Sequence, residues 1–181
     1  MDLNVSEIQN NALNDSNIKE QWKYLSIGSI RVDASIFDFS NTKSYQTSPN
    51  SYKISLKDGT VVEAQKQLEN AYITALDDGT IEFYGFNSKN TLTGITGTEK
   101  NDKYSFVNCS NVEINPKEGS DNIDIRNSKK MLIMLDNDKD KTRDIDKVSF
   151  DDDSECNILG YNSQMSQVSH RDNITEFIFI R

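Results

Sequence analysis

The stretch that decides the fold is residues 79–125, GTIEFYGFNSKNTLTGITGTEKNDKYSFVNCSNVEINPKEGSDNIDI. Short apolar runs follow three glycines in this stretch, and two later positions continue the pattern. The five positions are separated by 18, 22, 22 and 19 residues: Gly79, Gly97, Gly119, Lys141 and Gly160. Further strand candidates, TLTGI, NVEI, KMLIML and CNIL, lie between them. Two short strands in about twenty residues are typical of one turn of a β-solenoid, in which each turn covers the apolar residues of its neighbours.

A second architecture is compatible with the same run of strands. An antiparallel sandwich also has short strands at a spacing of about ten residues, separated by polar turns. We therefore predict a mainly β fold, either a β-solenoid or β-roll or an antiparallel sandwich, which is repeat-like from about residue 79. The closing run NITEFIFIR, residues 173–181, predicts a terminal strand docked on the core, because an exposed β-prone edge would promote aggregation.

The N-terminal part of the chain has a different pattern. In NIKEQWKYL, apolar residues including Trp22 and Leu25 recur at helical spacing, and Ser16 is a candidate N-cap. From residue 28 the pattern changes to short alternating runs rich in Ile, Val and Phe, as strands have. The predicted organisation is an N-terminal arm with a short helix over 1–27 and a single β-rich domain over 28–181.

An Asp-Gly turn occurs twice, in LKDGTVVEA at 56–64 and in LDDGTIEFY at 76–84. Asp-Gly between alternating apolar residues is a hairpin signal, because glycine adopts the positive φ of the tight turn. Two hairpins follow from this signal: 52–56 with 60–63, and 72–76 with 80–84. An alternative stays open, because Thr60 and Glu63 form a capping box before apolar residues at helical spacing, which predicts one helix over 61–76.

The charge of the chain limits its partners. The 181 residues carry a formal net charge of -9 and a pI of about 4.6. A surface of that sign repels phosphate and favours cations and basic proteins, so we expect no nucleic-acid partner. No apolar run approaches the ~20 residues of a membrane helix, and the N-terminus lacks the basic and apolar regions of a Sec signal peptide. Cys109 and Cys156 predict two free thiols more readily than a disulfide.

Two corner segments, GTEKNDKYS at 97–105 and PKEGSDNID at 116–124, resemble the hemolysin-type (RTX) calcium-binding nonapeptide. That pattern is G-G-x-G-x-D-x-U-x, with U a large apolar residue. Three positions match it in each segment: Gly97, Asp102 and Tyr104 in the first, and Gly119, Asp121 and Ile123 in the second. The resemblance implies a secreted bacterial protein in which Asp102 and Asp121 are calcium ligands.

The segment MLIMLDNDKDKTRDIDKVSFDDDSE, residues 131–155, predicts a further calcium site. Calcium takes about six to eight oxygen ligands, often from side chains that alternate along a tight loop. Four aspartates supply that pattern: Asp136, Asp138, Asp140 and Asp144. An EF-hand is not predicted, because Lys141 replaces its glycine, Lys147 replaces its bidentate glutamate and the flanks are strand-like. The alternative that stays open is a solvated acidic turn whose lysines pair with the aspartates.

The sequence contains no P-loop, nucleophile elbow or zinc-ligand spacing. It therefore predicts a non-catalytic, β-rich binding or structural module of a bacterial protein secreted without a Sec signal peptide, stabilised by Ca²⁺ and binding a protein or carbohydrate ligand. Two alternatives stay open. One is a bacterial effector or adaptor that binds a partner protein through the N-terminal helix and an exposed sheet edge. The other is a short β-helix enzyme that acts on an acidic polysaccharide.

Overall fold

The protein is described here by a computed structural model, which covers residues 3–4, 23–40, 45–135, 144–160 and 164–180. Within these ranges the chain forms seventeen β-strands and no helix. In chain order the strands are β1 (Leu3–Asn4), β2 (Tyr24–Ile27), β3 (Ile30–Asp33), β4 (Tyr45–Thr47), β5 (Ser51–Ser55), β6 (Val61–Gln65), β7 (Ala71–Ala75), β8 (Ile81–Tyr84), β9 (Thr93–Thr96), β10 (Lys103–Val107), β11 (Ser110–Asn115), β12 (Asn122–Arg126), β13 (Lys129–Leu135), β14 (Ile145–Asp151), β15 (Cys156–Gly160), β16 (Gln164–Arg171) and β17 (Ile174–Ile180).

The strands form two sheets that share one core. The first sheet has the order β1-β2-β3-β7-β8-β10-β12-β14-β17-β16, and the second has the order β15-β13-β11-β9-β6-β5-β4. From β8 to β15 the chain alternates between the sheets, and from β10 onward each strand lies parallel to the strand two places earlier. This parallel stacking is the arrangement of a β-solenoid, and it excludes the antiparallel sandwich for this part of the chain.

The pairing register sets the length of each turn. Tyr104 of β10 pairs with Ile123 of β12, 19 residues later. Ile123 then pairs with Val148 of β14, 25 residues later. The second sheet has the same two spacings between β11, β13 and β15. The later turn is therefore six residues longer (25 against 19), and the extra residues lie between β13 and β14.

The glycines that indicate a repeat in the sequence are not equivalent in the structure. Gly97 lies against the next turn at Pro116, whose carbonyl oxygen would be 2.5 Å from a Cβ at Gly97. Gly119 lies against Lys100 of the previous turn, not against Gly97. The segment that does recur is the one that enters the first sheet: DKYSFVN at 102–108, DNIDIRN at 121–127 and DKVSFDD at 146–152. The glycine spacing therefore indicates a turn of the right size but not its register.

Both predicted Asp-Gly hairpins are confirmed, since β5 pairs antiparallel with β6 and β7 pairs antiparallel with β8. Gly59 and Gly79 have φ angles of 107° and 84°, a region that glycine enters without a steric penalty. The aspartate before each glycine accepts the N–H of the threonine after it, at 2.9 and 3.0 Å. The alternative helix over 61–76 is wrong, because the β-branched and aromatic residues there form β6 and β7.

The predicted N-terminal helix is not supported where its residues are described. Tyr24 and Leu25, which end the helical pattern, belong to β2, and β2 pairs antiparallel with β3. Leu25 is fully buried because the inward positions of β2 alternate, as they do in any strand with one face on the core. The earlier part of the predicted helix, from Ser16 to Trp22, lies outside the described residues.

An aromatic cluster lies in the core between the two sheets. Phe83 stacks on Phe106 with ring centroids 4.9 Å apart, and Phe86 and Tyr104 meet the Phe83 ring edge-on at 5.8 and 5.9 Å. None of the four side chains is more than 1% exposed. The Tyr104 hydroxyl is 2.8 Å from Thr60 Oγ1, so the polar atom of the cluster is hydrogen-bonded. The cluster connects the hairpin region to the first turns of the solenoid.

The C-terminal hairpin extends only the first sheet. β17 pairs antiparallel with β14, and β16 pairs antiparallel with β17. Phe177 of β17 stacks on Phe150 of β14 at 5.6 Å, so the predicted docking of the terminal strand is confirmed. The first sheet thus continues for two strands beyond β14, whereas β15 is the last strand of the second sheet.

Candidate functional site

A ladder of three buried aspartates lies at the corner where the chain enters the first sheet. Asp102, Asp121 and Asp146 stand at the start of β10, β12 and β14, and they are 7%, 1% and 1% exposed. Asp121 Oδ1 accepts the backbone N–H of Asp102 at 2.8 Å, and Asp146 Oδ1 accepts that of Asp121 at 3.1 Å. The Asp121 and Asp146 carboxylates therefore each satisfy a buried backbone donor of the preceding turn, and the ladder holds successive turns together.

Both carboxylate oxygens of Asp102 accept hydrogen bonds from Thr98. The Thr98 backbone N–H donates to Asp102 Oδ2 at 2.7 Å, and the Thr98 hydroxyl donates to Oδ1 at 2.9 Å. Burial raises the pKa of Asp102 above its ordinary value, although these hydrogen bonds act in the opposite direction. A Cβ at Gly97 would lie 2.6 Å from Asp102 Oδ2, so this corner requires a glycine at position 97.

The structure brings together the two aspartates that the RTX resemblance singles out. Asp102 and Asp121 lie in successive turns, one above the other. The resemblance implies that aspartates of successive turns share a calcium ion. Asp121 Oδ1 accepts the backbone N–H of Asp102, so a shared ion bound through that oxygen would compete with the hydrogen bond. Calcium binding at Asp102 and Asp121 stays a prediction.

The acidic segment predicted as a calcium loop is described only at its end. Three of its four aspartates lie outside the described residues: Asp136, Asp138 and Asp140. Asp144 is half-buried directly before β14, and the next residue, Ile145, donates its N–H to Ser120 Oγ at 3.0 Å. Across the described part of the chain, no group of three or more His, Cys, Asp or Glu side chains is placed to hold a metal ion. The calcium loop therefore stays a prediction as well.

A second ladder, of asparagine and serine side chains, lies at the opposite corner, where the chain leaves the first sheet. Asn127 Nδ2 donates to Asn108 Oδ1 at 2.6 Å. Both asparagines have a positive φ, 44° and 54°, which asparagine adopts more readily than most residues. Ser128 Oγ accepts the N–H of Cys109 at 2.9 Å, and Ser154 Oγ accepts the N–H of Ser128 at 3.1 Å. This ladder fixes the positions of the polar groups along the corner.

A cleft of about 750 Å³ opens beside this second ladder. One wall is the connection from β8 to β9, which takes nine residue steps from Tyr84 to Thr93, whereas the paired positions in the next turn, Val107 and Val112, are five steps apart. The other walls are the β6–β7 connection and the corners of the next two turns. The lining residues are Gln67, Glu69, Asn70, Asn87, Ser88, Lys89, Asn90, Ser110, Asn111, Lys129 and Lys130.

The polar side chains of the cleft are positioned by neighbouring turns. The Asn111 side-chain amide donates to the Ser88 carbonyl oxygen, and Asn87 Nδ2 donates to the Asn108 carbonyl oxygen at 3.0 Å. Lys130 stands one turn beyond Asn111 and has a φ of 52°, a left-handed conformation that costs free energy for lysine. Three lysines and one glutamate line the cleft, so it is locally cationic in a chain whose net charge is -9.

Both cysteines are free thiols, as the sequence predicts. Burial raises the pKa of Cys109 and of Cys156 to about 12. Cys109 Sγ donates to the Phe83 carbonyl oxygen at 3.3 Å. The imidazole of His170 is exposed, and its Nδ1 is 3.0 Å from Thr175 Oγ1. The thiols are therefore protonated at neutral pH, which does not suit either for nucleophilic catalysis.

Sequence reasoning missed part of this arrangement. It identified Asp102 and Asp121 but not Asp146 as a member of the same ladder. The signal was present, since the three copies DKYSFVN, DNIDIRN and DKVSFDD share an aspartate followed by apolar residues at the third and fifth positions. It also missed the cleft, whose walls come from segments as distant as Gln67 and Lys130.

Comparison of the chain with protein-family models, with curated proteins and with solved structures found no match. None of the described residues belongs to a helix that is long and apolar enough to cross a membrane. The features of this protein that bear on its function are the cleft, the two ladders and the charge of the chain.

Proposed function

We propose that this protein is a non-catalytic β-solenoid module that binds an acidic carbohydrate in the cleft beside the asparagine–serine ladder. The observation that carries the proposal is the lining of that cleft. It combines amide and hydroxyl side chains with three lysines, two of which, Lys129 and Lys130, are consecutive and exposed.

The lining suits a carbohydrate because sugar hydroxyls both donate and accept hydrogen bonds, and asparagine amides do the same. The Asn87 and Asn111 side chains are held by bonds to neighbouring turns, so they lose little freedom when a ligand binds. The lysines add charge-assisted hydrogen bonds to carboxylates. Elsewhere the acidic surface repels an anionic ligand, which concentrates binding at this cationic patch.

A binding role is favoured over catalysis by the acids of the site. Among the described lining residues, Glu69 is the one carboxylate, whereas glycoside hydrolysis ordinarily uses a pair of carboxylates. The buried carboxylates of Asp102, Asp121 and Asp146 lie at the opposite corner, where they accept hydrogen bonds within the protein. These acids contribute to the stability of the turns and do not line the cleft.

The double substitution Lys129→Ala and Lys130→Ala is expected to weaken binding of a short oligogalacturonate about tenfold. The two exposed charge pairs together contribute on the order of 1.4 kcal/mol, which corresponds to that factor. Isothermal titration calorimetry of the wild type and of the double variant measures the change. The fully esterified, neutral form of the same oligosaccharide is expected to bind the wild type about tenfold more weakly as well.

The matched control is Lys100→Ala, which removes an exposed lysine outside the cleft and is expected to leave the affinity unchanged. Equal affinity for the acidic and the neutral oligosaccharide would contradict the proposed ligand class. An affinity that responds to Lys100→Ala but not to the double variant would place the binding site elsewhere. Release of unsaturated sugar during the titration would favour the polysaccharide-acting enzyme instead.

We further propose that Ca²⁺ stabilises the acidic insertion between β13 and β14. The support is its position, since Asp144 leads directly into β14 and Asp146 ends the aspartate ladder. Oxygen donors at every second residue of the segment match the alternating ligands of calcium loops.

Calcium is expected to raise the Tm of the wild type by several degrees, because a ligand at 100 times its Kd stabilises the folded state by about 2.7 kcal/mol. Asp138→Ala removes one oxygen donor from the middle of the segment and is expected to abolish most of the rise. Differential scanning calorimetry with and without millimolar calcium measures it. Asp153→Ala, an exposed acid in the next corner, is the control that keeps the rise. An unchanged wild-type Tm, or an equal rise in Asp138→Ala, would contradict calcium stabilisation.

A further inference from the structure

The two sheets end unequally at the C-terminal side of the solenoid. The second sheet stops at β15, whereas the first sheet continues through β17 and β16. The end of the molecule is therefore a step that is two strands high on one side. Within the described ranges, no strand pairs with the outer edge of β15 or with that of β16. Both edges present unpaired backbone donors and acceptors.

The inner face of the overhanging hairpin is mainly apolar, with the His170–Thr175 pair at one end, and it is exposed along β16. Val148 pairs with Phe177, which pairs with Val168, so the three side chains share the face that looks toward the core. Phe179 and Met165 form the next row on that face. Val148 is fully buried, but Val168 is 51% exposed and Met165 is 57% exposed. The apolar row thus runs out of the core into solvent.

The inward-facing side chains of β15, the last strand of the second sheet, are also less buried than those of the preceding strand. Cys156 and Ile158 point inward, because they pair with Met131 and Ile133, which are fully buried. Cys156 and Ile158 are only half-buried. At this end of the core, the inward-facing residues of both sheets are therefore less buried than those of the preceding strands.

The edges at the step carry little charge, since Arg171, the last residue of β16, is the one Asp, Glu, Lys or Arg in β15 and β16. Residues 156–169 include β15 and most of β16, and none of them is among the 49 Asp, Glu, Lys and Arg residues of the chain (29 acidic and 20 basic). Exposed edge strands of monomeric proteins are ordinarily protected by charged side chains or proline, which prevent pairing with another chain. A proline-free edge with no charge before Arg171, beside a partly exposed apolar face, lacks the features that ordinarily prevent pairing with another chain.

From these features we infer that two copies of this protein join at their C-terminal ends into a symmetric dimer, in which β16 of each copy pairs with β15 of the other. A two-fold axis parallel to the strands and midway between the sheets places the first sheet of one copy in line with the second sheet of its partner. The two-strand overhang of each copy then fills the step of the other, so both sheets become continuous across the interface.

The strand directions fit this arrangement. Because the chain winds around the core, β15 runs opposite to β14. β17 is antiparallel to β14 and β16 is antiparallel to β17, so β16 runs in the direction of β14. An axis parallel to the strands preserves direction, and β16 of one copy therefore meets β15 of the other in antiparallel pairing. The apolar faces of the two hairpins come to lie opposite each other and extend one core through both copies.

A dimer of this form has a consequence for ligand binding. The cleft is lined by residues between Gln67 and Lys130, none of which belongs to β15 or β16, so each copy keeps its cleft free. Two clefts on one rigid particle increase the avidity for a polymeric ligand without any new contact. The features that indicate the dimer are those of the step, and they do not depend on the proposed function.

Sedimentation equilibrium of the full chain tests the inference. The wild type is expected to show a reversible association to twice its 20.6 kDa mass. Val168→Lys places a charge on the apolar face that the dimer buries, and it is expected to raise the dimer Kd by about a hundredfold or more. Gln46→Lys makes an equivalent exposed change on β4, the edge strand at the other end of the second sheet, and is expected to leave the Kd unchanged.

Hydrogen exchange at high and low protein concentration identifies the strands that pair. The amides of both β15 and β16 are expected to become slower to exchange as the dimer forms. A wild type that stays monomeric at every concentration overturns the inference, as does a dimer weakened by Gln46→Lys but not by Val168→Lys. Protection of β16 without β15 overturns the proposed pairing. If Val168→Lys does not fold by circular dichroism, Met165→Lys makes the same test in the neighbouring row.

Discussion

Phe83→Ala lowers the free energy of unfolding by about 4 kcal/mol, the largest effect that we expect from a single side chain of this protein. Phe83 is fully buried and contacts Phe86, Tyr104 and Phe106, so its removal leaves a cavity bounded by three other aromatic rings. Phe86 follows β8, whereas Tyr104 and Phe106 belong to β10 of the next turn. The surrounding strands hold these rings in place, which prevents them from closing the space. Urea denaturation followed by circular dichroism measures the loss.

The control for this substitution is the adjacent residue of the same strand. Tyr84 points away from the core and is 41% exposed, so Tyr84→Ala is expected to cost less than about 1 kcal/mol. Phe83→Leu keeps most of the buried volume and is expected to cost an intermediate amount. If Phe83→Ala and Tyr84→Ala had similar effects, the alternation of β8 between core and solvent would be wrong.

The parts of the fold that could be predicted from sequence are those decided by neighbouring residues. The hairpins around Gly59 and Gly79 are predictable because the Asp-Gly turn fixes a local backbone conformation. The docking of β17 is predictable because an exposed apolar strand is costly. The solenoid itself was one of the architectures predicted, since short strands at regular spacing define the turn length.

The parts that could not be predicted depend on pairing between distant residues. The register pairs Tyr104 with Ile123, whereas the glycine spacing pairs Gly97 with Gly119 and is wrong by three residues (22 against 19). The glycines stand where backbones approach closely, and different corners need that approach at different positions. At Tyr24 and Leu25 the predicted helix is not supported for a related reason, since β3 provides the pairing that makes β2 a strand.

The candidate site also has features that the sequence indicates and features that it does not. The three aspartates can be found in the sequence because each one begins a recurring segment. Their role cannot be found there, because the carboxylates of Asp121 and Asp146 accept a backbone N–H of another turn. The cleft has no signal in the sequence. Its walls come from four separate segments of the chain, and its cationic lining contrasts with the acidic composition of the whole sequence.

The second large effect that we expect is the loss of stability when one carboxylate of the aspartate ladder is removed. Asp121→Ala is expected to lower the free energy of unfolding by about 3 kcal/mol, because it leaves the buried N–H of Asp102 without its acceptor. Asp121→Asn keeps an oxygen at that position and is expected to recover more than half of the loss. Asp153→Ala makes the same chemical change at an exposed position and is expected to stay within about 0.5 kcal/mol of the wild type.

Amide hydrogen exchange by NMR separates the ladder from a general effect on stability. In Asp121→Ala the amide of Asp102 is expected to exchange about a hundredfold faster or more, since its hydrogen bond is lost directly. The amide of Asp121 still has Asp146 Oδ1 as its acceptor, so it should be affected only as much as the protein as a whole. Equal acceleration of both amides would mean that Asp121 acts through packing and not through this bond. Unchanged exchange at Asp102 would show that the turns are held together without the ladder.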